Sequence, residues 1–559
     1  MVVEDKARGP AAGESEPDDG VTWKHSVASL RNVQRVIRTP NPDNPGYARQ
    51  KKQGKLWVRE RLDLFLDTGT FQEVGSVTGK PLYDEKTGEL KEFVPANMII
   101  GSGKVNSRKV YVTADDFSVR GGHADGGIQG KAAFGEALAI KHKVPLVRLL
   151  DGSSGGGSVA QYLTIGRTYI PHMAGMGQGL TAMTVIPVEL GPVVGLASAK
   201  AVVSHFSVMV KGVSQLFAAG PPIVRHATFE ELDKEQLGGW EIHGRNGTVD
   251  NVATSELDAF RQIRTFLSFL PSSVFTLPPV RSSTDPADRR EEELISIIPR
   301  RRARAYDIRK LLRLIVDVDA ADSPHGQPTS FFEIGATWGT CMVTGFARLQ
   351  GRPVGILTSD CTVGGGALDA LGSQKAARFI NLCELFGVPI LNLVDQPGFA
   401  IGSAAERAAT IRHGASVMAA LYYATIPIYT VVVRRAFGVA GGTLSDPDDG
   451  TNTRVAWPSG DWGSLPLEGG VEAAYKRQLD SATSPAAREQ MLKDLLAQFE
   501  DIRDPIRTAH AFGIDEIIDP RDTRPLACEW VVHAYEQTLP IRLRARTPSA
   551  GSPGYRHKL

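Results

Sequence analysis

The chain alternates short, dense apolar runs with stretches of mixed polarity, and the alternation predicts strands and helices in turn. The runs KVYVTAD (109–115) and VPLVRLLD (144–151) are rich in β-branched and apolar residues, and each is long enough to be a strand buried on both faces. Between them, KAAFGEALAIKHK (131–143) interleaves apolar and charged positions as a helix does. The order recurs in PVGILTSD (353–360), QKAARFINLCELF (374–386) and VPILNLVD (388–395). Two later runs, VIPVELGPVVG (185–195) and IPIYTVVVRRAFGVAGG (426–442), continue the style. Strand–helix–strand order predicts α/β domains with largely parallel strands.

The two sets are copies of one another. Arg108–Gly122 (RKVYVTADDFSVRGG) and Arg352–Gly366 (RPVGILTSDCTVGGG) match at Arg108/Arg352, Val110/Val354, Asp116/Asp360, Gly121/Gly365 and Gly122/Gly366. The same offset then carries Lys131 onto Lys375, Val144-Pro145 onto Val388-Pro389 and Asp151 onto Asp395. This implies a duplicated domain, each copy presenting a glycine loop after a buried strand. The loops are DGSSGGGS (151–158) and DQPGFAIG (395–402), and a third, FGVAGG (437–442), follows another strand. Consecutive glycines let the backbone approach a ligand and aim neighbouring N–H groups at one point, where a phosphate or an oxyanion is held; a tight strand-to-helix turn is the plain alternative. GIQGKA around Lys131 lacks the spacing and Ser/Thr of a nucleotide loop, and GxGxxG after the first strand and GxSxG are both absent. His123, His172, His205 and His413 lie near the loops, each suited to a structural or surface role before that of a base. The sequence thus offers amide donors without an acid–base team.

Composition narrows the class. A length of 559 residues suits two domains, and 42% hydrophobic residues with a net charge of +1 gives no sign of a nucleic-acid or membrane partner. Four scattered cysteines (Cys341, Cys361, Cys383, Cys528) argue against a metal site or disulfide framework and fit an intracellular, reducing compartment. Residues 1–22 read as a disordered tail, 23–285 and 309–545 as the two domains, 286–308 as a charged linker and 546–559 as a flexible tail. The run Arg300-Arg301-Arg302-Ala303-Arg304 reads as solvated linker or a site for acidic phosphates, with a nuclear signal as the alternative. The terminal His557-Lys558-Leu559 approaches the tripeptide read by the peroxisomal import receptor; without delivery there, the location is cytoplasmic.

From about Gly54 to Pro540 the chain resembles the carboxyltransferase (β) subunits of acyl-CoA carboxylases, especially the propionyl-CoA carboxylase type. The motifs that carry the resemblance are GKLWVRERLDLFLDTGTFQEVG, DDFSVRGG, SSGGGS, SHFSVMVKGVSQLFAAGPP, LGSQKAARFINLCELFGVPILNLVDQPGF, IRHGA and VVVRRAFGVAGG. The resemblance implies two tandem crotonase-like domains of ββα spiral units, acyl-CoA on the first and carboxybiotin on the second. It implies CO2 transfer from biotin, borne on a separate biotin carboxylase/carrier partner, to the α carbon of an acyl-CoA through a thioester enolate. Dimers or trimers of dimers are implied as well, with active sites between the first domain of one chain and the second of another. Carried over, the amides of Gly155 and Gly156 match the hole for the thioester oxygen, and those of Val439 and Ala440 the hole for the biotin ureido oxygen. Ser154, Gly157, Gly121, Gly122, Gly398, Phe399, Gly438, Gly441 and Gly442 fall around these loops; Lys131 and Lys375 match positions that either contact coenzyme A or sit on a solvated helix face. The chain departs from the family in Gly157-Ser158 for an Ala-Arg pair, Val439 for a glycine, and Gly442 for an aspartate that helps set acyl size. The acyl group therefore does not transfer, and a bulkier or branched chain is admissible. No biotinylation motif or ATP-binding domain accompanies the site. The alternatives are a biotin-independent malonyl- or methylmalonyl-CoA-type decarboxylase and, at lower weight, a scaffold subunit without catalysis.

Overall fold

The structure, a computed structural model, describes residues 20–88, 90–123, 127–128, 130–153, 159, 162–163, 166–168, 180, 183–318, 330–445, 452–499 and 501–546. Ser154, Gly155, Gly156, Gly157 and His172 lie outside the described residues, as do most of the N-terminal tail and the terminal His557-Lys558-Leu559. The chain divides between Arg264 and Thr265 into two compact units.

In the first unit an eight-stranded sheet is built from Gln72–Val74, Met98–Val105, Arg108–Asp115, Leu146–Ser153, Val185–Val194, Val208–Val210 and Asn251–Ala253 in that spatial order, with Gln215–Phe217 also pairing on Val185–Val194. Its first two pairings are antiparallel and the rest parallel. The central strands are buried on both faces, as their unbroken Val, Ile and Leu content requires. The antiparallel entry is a hairpin through Asn106 (φ 51°) and Ser107 (φ 64°), the left-handed pair of a tight turn that follows strand twist.

The second unit repeats this order strand for strand, from Phe332–Ile334, Met342–Leu349, Arg352–Ser359 and Ile390–Gln396 to Ile428–Phe437, Thr453–Ala456 and Glu516–Ile517, with Asp461–Gly463 pairing on Ile428–Phe437. Even the register repeats: Tyr111 faces Leu146 as Gly355 faces Ile390, and Met98 faces Asp115 as Met342 faces Ser359. These are two tandem crotonase-like domains, and the predicted strands all form. The helix foreseen at 374–386 starts earlier, spanning Ala370–Phe386, because the Asp369 side chain accepts the Gly372 amide at 2.6 Å and caps it.

The domain boundary differs from the one expected. It falls inside the helix Glu256–Phe269, and 286–308 packs into the second unit rather than serving as a linker. Leu294, Ile298 and Tyr306 are buried, and the Arg524 guanidinium, itself buried, donates to the Pro286 carbonyl at 2.9 Å and to Asp317 at 2.9 Å. Arg289 closes the network on Asp285 at 2.8 Å. Charges that pair with one another within a fold give the same composition as charges that face water.

Candidate functional site

The second unit's central strands deliver three glycine segments to one place. Ile428–Phe437 ends in Gly438, whose φ of 60° turns the chain into the helix Gly438–Ser445. Ala440 and Gly441 pack inward on that helix; a Cβ on Gly441 would lie 2.5 Å from the Ala436 carbonyl carbon. Val439 is 61% exposed, and Gly442 has open space where a side chain would project. The first-turn N–H groups of such a helix, Val439 and Ala440 among them, have no intrahelical acceptor and lie at the positive end of its dipole. Beside them Gly398 (φ 125°) comes within 3.8 Å of the Phe437 carbonyl oxygen, measured from its Cβ position, and its amide donates to the Gln396 side chain at 3.0 Å. Phe399 fills the space over Gly414, whose Cβ would stand 2.2 Å from the ring.

Beneath these loops lies a buried carboxylate. Asp395, fully buried, accepts from Arg434 at 2.7 Å, from the Arg435 side chain at 2.7 Å and from the Tyr306 hydroxyl at 3.1 Å. Burial works to raise its pKa, but the Arg435 and Arg434 hydrogen bonds outweigh burial and hold it below the usual carboxylate range. The same two arginines extend outward: Arg435 donates to the Gly365 carbonyl at 2.7 Å and Arg434 to the Arg304 carbonyl at 2.7 Å. Arg434 also lies 4.7 Å from the Tyr306 ring centroid. The arginine run 300–304 is thereby pinned through its backbone while its side chains stay exposed.

The first unit does the same with other residues. Asp151, fully buried, accepts from Lys55 Nζ and Arg61 at 2.7 Å each. Its amide donates to Asp115 at 3.1 Å. Burial pushes the Asp115 carboxyl up to about 7 and lowers the Lys55 ammonium. Gly122 (φ 68°) and Gly152 meet backbone to backbone at the root of the first loop: a Cβ on Gly122 would stand 2.5 Å from the Asp151 carbonyl oxygen and 2.7 Å from the Gly152 Cα. Gly121 (φ 61°) sits beside the His123 ring. Sequence reading found the two aspartates and overlooked their cations. The available signal was a charged residue ending a fully buried run, which demands a partner.

The two matched lysines play one structural part. Lys131 Nζ donates to the Gly75 carbonyl at 3.1 Å, and Lys375 Nζ donates to the Gly335 and Trp338 carbonyls at 2.8 and 3.0 Å. Lys375 is only 2% exposed, so it is not on a solvated helix face, and burial lowers its ammonium to about 8. Lys131 is half-buried, and burial lowers it too. The histidines differ: the His205 ring accepts the Val185 amide at 3.0 Å and bonds the Leu180 carbonyl at 2.8 Å, a structural role, whereas His123 and His413 are half-buried. Among the described residues no cluster of three or more His, Cys, Asp or Glu is arranged to hold a metal.

Comparison with known proteins identifies the family. The family model for the carboxyl transferase domain matches residues 49–546. The propionyl-CoA carboxylase β chain of Mus musculus is 33% identical over 488 residues, covering 86% of this chain and 85% of its own length. The α subunit of methylmalonyl-CoA decarboxylase from Veillonella parvula is 32% identical over 485 residues, covering 85% of this chain and 89% of its own. Among solved structures the transcarboxylase 12S subunit, described as a hexamer and solved with methylmalonyl-coenzyme A and methylmalonic acid bound, superimposes with a TM-score of 0.78 at 27% identity over 96% of this chain and 99% of its own.

Proposed function

Because the chain belongs to the carboxyl transferase family, as an acyl-CoA carboxyltransferase subunit of the biotin-dependent carboxylase type, we propose that its chemistry is carried by backbone amides rather than by a side-chain base. Carboxybiotin, delivered on a separate carrier, supplies the carboxyl group and a ureido nitrogen able to accept the substrate's α-proton. The chain's own contribution is to hold negative charge. The amides of Val439 and Ala440 receive the ureido oxygen, and those of Gly155 and Gly156 the thioester oxygen as it becomes an enolate. The observation that carries the reading is the helix Gly438–Ser445, whose first turn is exposed at Val439 and buried at Ala440, lies beside Gly398 and Phe399, and is anchored from below by Asp395. Ser154, Gly157, Gly121, Gly122 and Lys131 belong to the acyl-CoA side of this proposal, and Gly438, Gly441 and Gly442 to the biotin side. Gly442 projects no side chain of its own that would limit a larger acyl chain reaching it from the acyl-CoA side. Assembly into a homo-oligomer, as in the transcarboxylase 12S hexamer, is part of the same proposal.

The Veillonella relative supports a second reading, in which the enzyme runs towards loss of the carboxyl group. Incubating the purified protein with malonyl-CoA or methylmalonyl-CoA, with and without free biotin, separates the two by mass of the thioester. Loss of the carboxyl only with biotin supports transfer. Loss without biotin makes the protein a decarboxylase and removes the biotin role from Val439 and Ala440.

A further inference from the structure

The helix Lys24–Arg38 is 15 residues long, yet of these only Ile37 is buried. At 1.5 Å per residue it extends about 22 Å. Trp23, Val27, Leu30, Gln34 and Ile37 follow at steps of four and three, so they share one face. At its C-terminal end this face lies on the first unit: Ile37 is covered and Gln34 Nε2 donates to Ser76 at 3.0 Å. Towards the N-terminus the same stripe continues uncovered, with Trp23 81%, Val27 50% and Leu30 44% exposed. A stripe that runs on past the core it packs against has a second surface to meet.

The charges say what kind of surface. From Trp23 to Arg38 there is no acidic residue, and Lys24, Arg31, Arg35 and Arg38 are cationic. Arg38 reaches Glu73 at 3.5 Å. Among the described residues, Arg31 and Arg35 bond only to neutral side chains of their own helix, Gln34 and Asn32, so no described anion meets their charge there. Pairing this helix with its own copy would set like charges side by side along the seam. A patch that combines exposed apolar residues with two carboxylates, and with Arg225 and His226 of the helix Pro221–Thr228 beside them, exists elsewhere on the first unit. Around the end of the helix Pro221–Thr228, Ile223 is 60% and Phe229 86% exposed, and Glu230 and Glu231 follow, both exposed. Phe229 is held at φ 63°, an unusual conformation for an aromatic residue.

We propose that the overhanging helix of one copy docks on the Ile223–Glu231 patch of a second copy. Trp23, Val27 and Leu30 cover Ile223 and Phe229, while Lys24, Arg31 and Arg35 face Glu230 and Glu231. Apolar anchors at the centre with charges at the rim is how such interfaces divide affinity from register. Arm and patch are different surfaces of each chain, so two copies can exchange arms reciprocally, or the contact can repeat head-to-tail from copy to copy.

Sedimentation velocity of the full chain at about 0.1 M salt, where exposed charges still act over about 10 Å, tests this. Lys24→Glu/Arg31→Glu/Arg35→Glu weakens assembly about tenfold or more, Glu230→Lys/Glu231→Lys does the same, and all five together restore it, since a roughly tenfold loss corresponds to only one or two rim pairs. Trp23→Ala, which changes no charge, weakens assembly at low and high salt alike. Unchanged far-UV circular dichroism and melting temperature show that each variant is folded. Wild-type assembly in both charge variants overturns the proposal, as does a five-site variant that assembles no better than either. So does a three-site variant that keeps its mass but loses binding to anionic phosphatidylserine vesicles, which would make a lipid surface the occupant.

Discussion

A carboxylate sealed away from water persists only when its charge is met, and Asp395 is met by two guanidinium groups and a phenol. Asp395→Asn removes the anion and leaves Arg434 and Arg435 without their counter-charge, a loss of about 3–5 kcal/mol for a broken buried pair. Urea unfolding at pH 7 checks it. Because the folded-state pKa is depressed, this contribution is complete above the unfolded carboxylate value of about 4 and disappears as pH falls through the lower folded value. A variant as stable as wild type at pH 7 would mean that the loops do not depend on this anchor. The repeat supplies a second residue-scale comparison. Lys143 closes the helix Lys131–His142 in the left-handed region (φ 55°), where the second copy, after Ala370–Phe386, has Gly387 (φ 68°). Lys143→Gly is expected to stabilise the protein by about 1 kcal/mol, the usual cost of that conformation for a residue with a Cβ, seen as a higher urea midpoint at unchanged slope.

At the scale of elements, the helix Gly438–Ser445 can be tested without dismantling it. With Gly438 at positive φ, Val439 is the first residue of helical conformation, where proline fits a helix and only an N–H is lost. Val439→Pro should lower turnover about 10²–10³-fold, the range for losing one oxyanion donor, with little change in melting temperature; full turnover would remove this amide from the chemistry. Strands and helices were the most legible features in the sequence. Runs such as VPILNLVD can only be buried, and the constant offset from Arg108/Arg352 to Asp151/Asp395 transmits the register as well as the order. The antiparallel hairpins were not legible, since Asn106-Ser107 and Gln350-Gly351 carry only weak turn signals. Nor was Lys375: a lysine on a mixed-polarity helix looks solvated until the carbonyls of Gly335 and Trp338, remote in sequence, are seen to enclose it. The loops could be recognised because glycine encodes backbone geometry locally. Their ionic anchors depend on partners as distant as Arg61 from Asp151, which no local pattern announces.

Across the whole molecule, two units with one strand order differ most in their buried charge. Where the first has Asp115 the second has Ser359, and where the first has Glu189 the second has Val432. Burial pushes Asp115 up to about 7 and Glu189, whose carboxyl oxygens find no hydrogen-bond partner of good geometry among the described residues, up to about 8. Burial also raises Asp116, whereas its counterpart Asp360, raised by burial but bonded by Thr362 and Arg309, ends below the usual range. A raised carboxyl stabilises the fold fully below the unfolded value of about 4, and that stability is lost as pH rises through the folded value. Each such group removes up to about 1.4 kcal/mol per pH unit across the window. Lowered lysines, the opposite case, occur in both units, Lys55 and Lys131 in the first and Lys375 in the second; Lys375 is lowered to about 8, and its burial becomes less costly between pH 8 and the unfolded lysine value of about 10.4. Raising the pH from 5 to 8 should therefore loosen the first unit selectively. Peptide-resolved hydrogen exchange, corrected for the intrinsic pH dependence of exchange, should show protection falling in Arg108–Asp115 and Val185–Val194 while Arg352–Ser359 and Ile428–Phe437 hold. Asp115→Asn with Glu189→Gln should shrink the difference to what Asp116 contributes, because neither amide titrates. If the two units lost protection together, or the double variant kept the wild-type slope, the buried carboxyls of the first unit would not be its source.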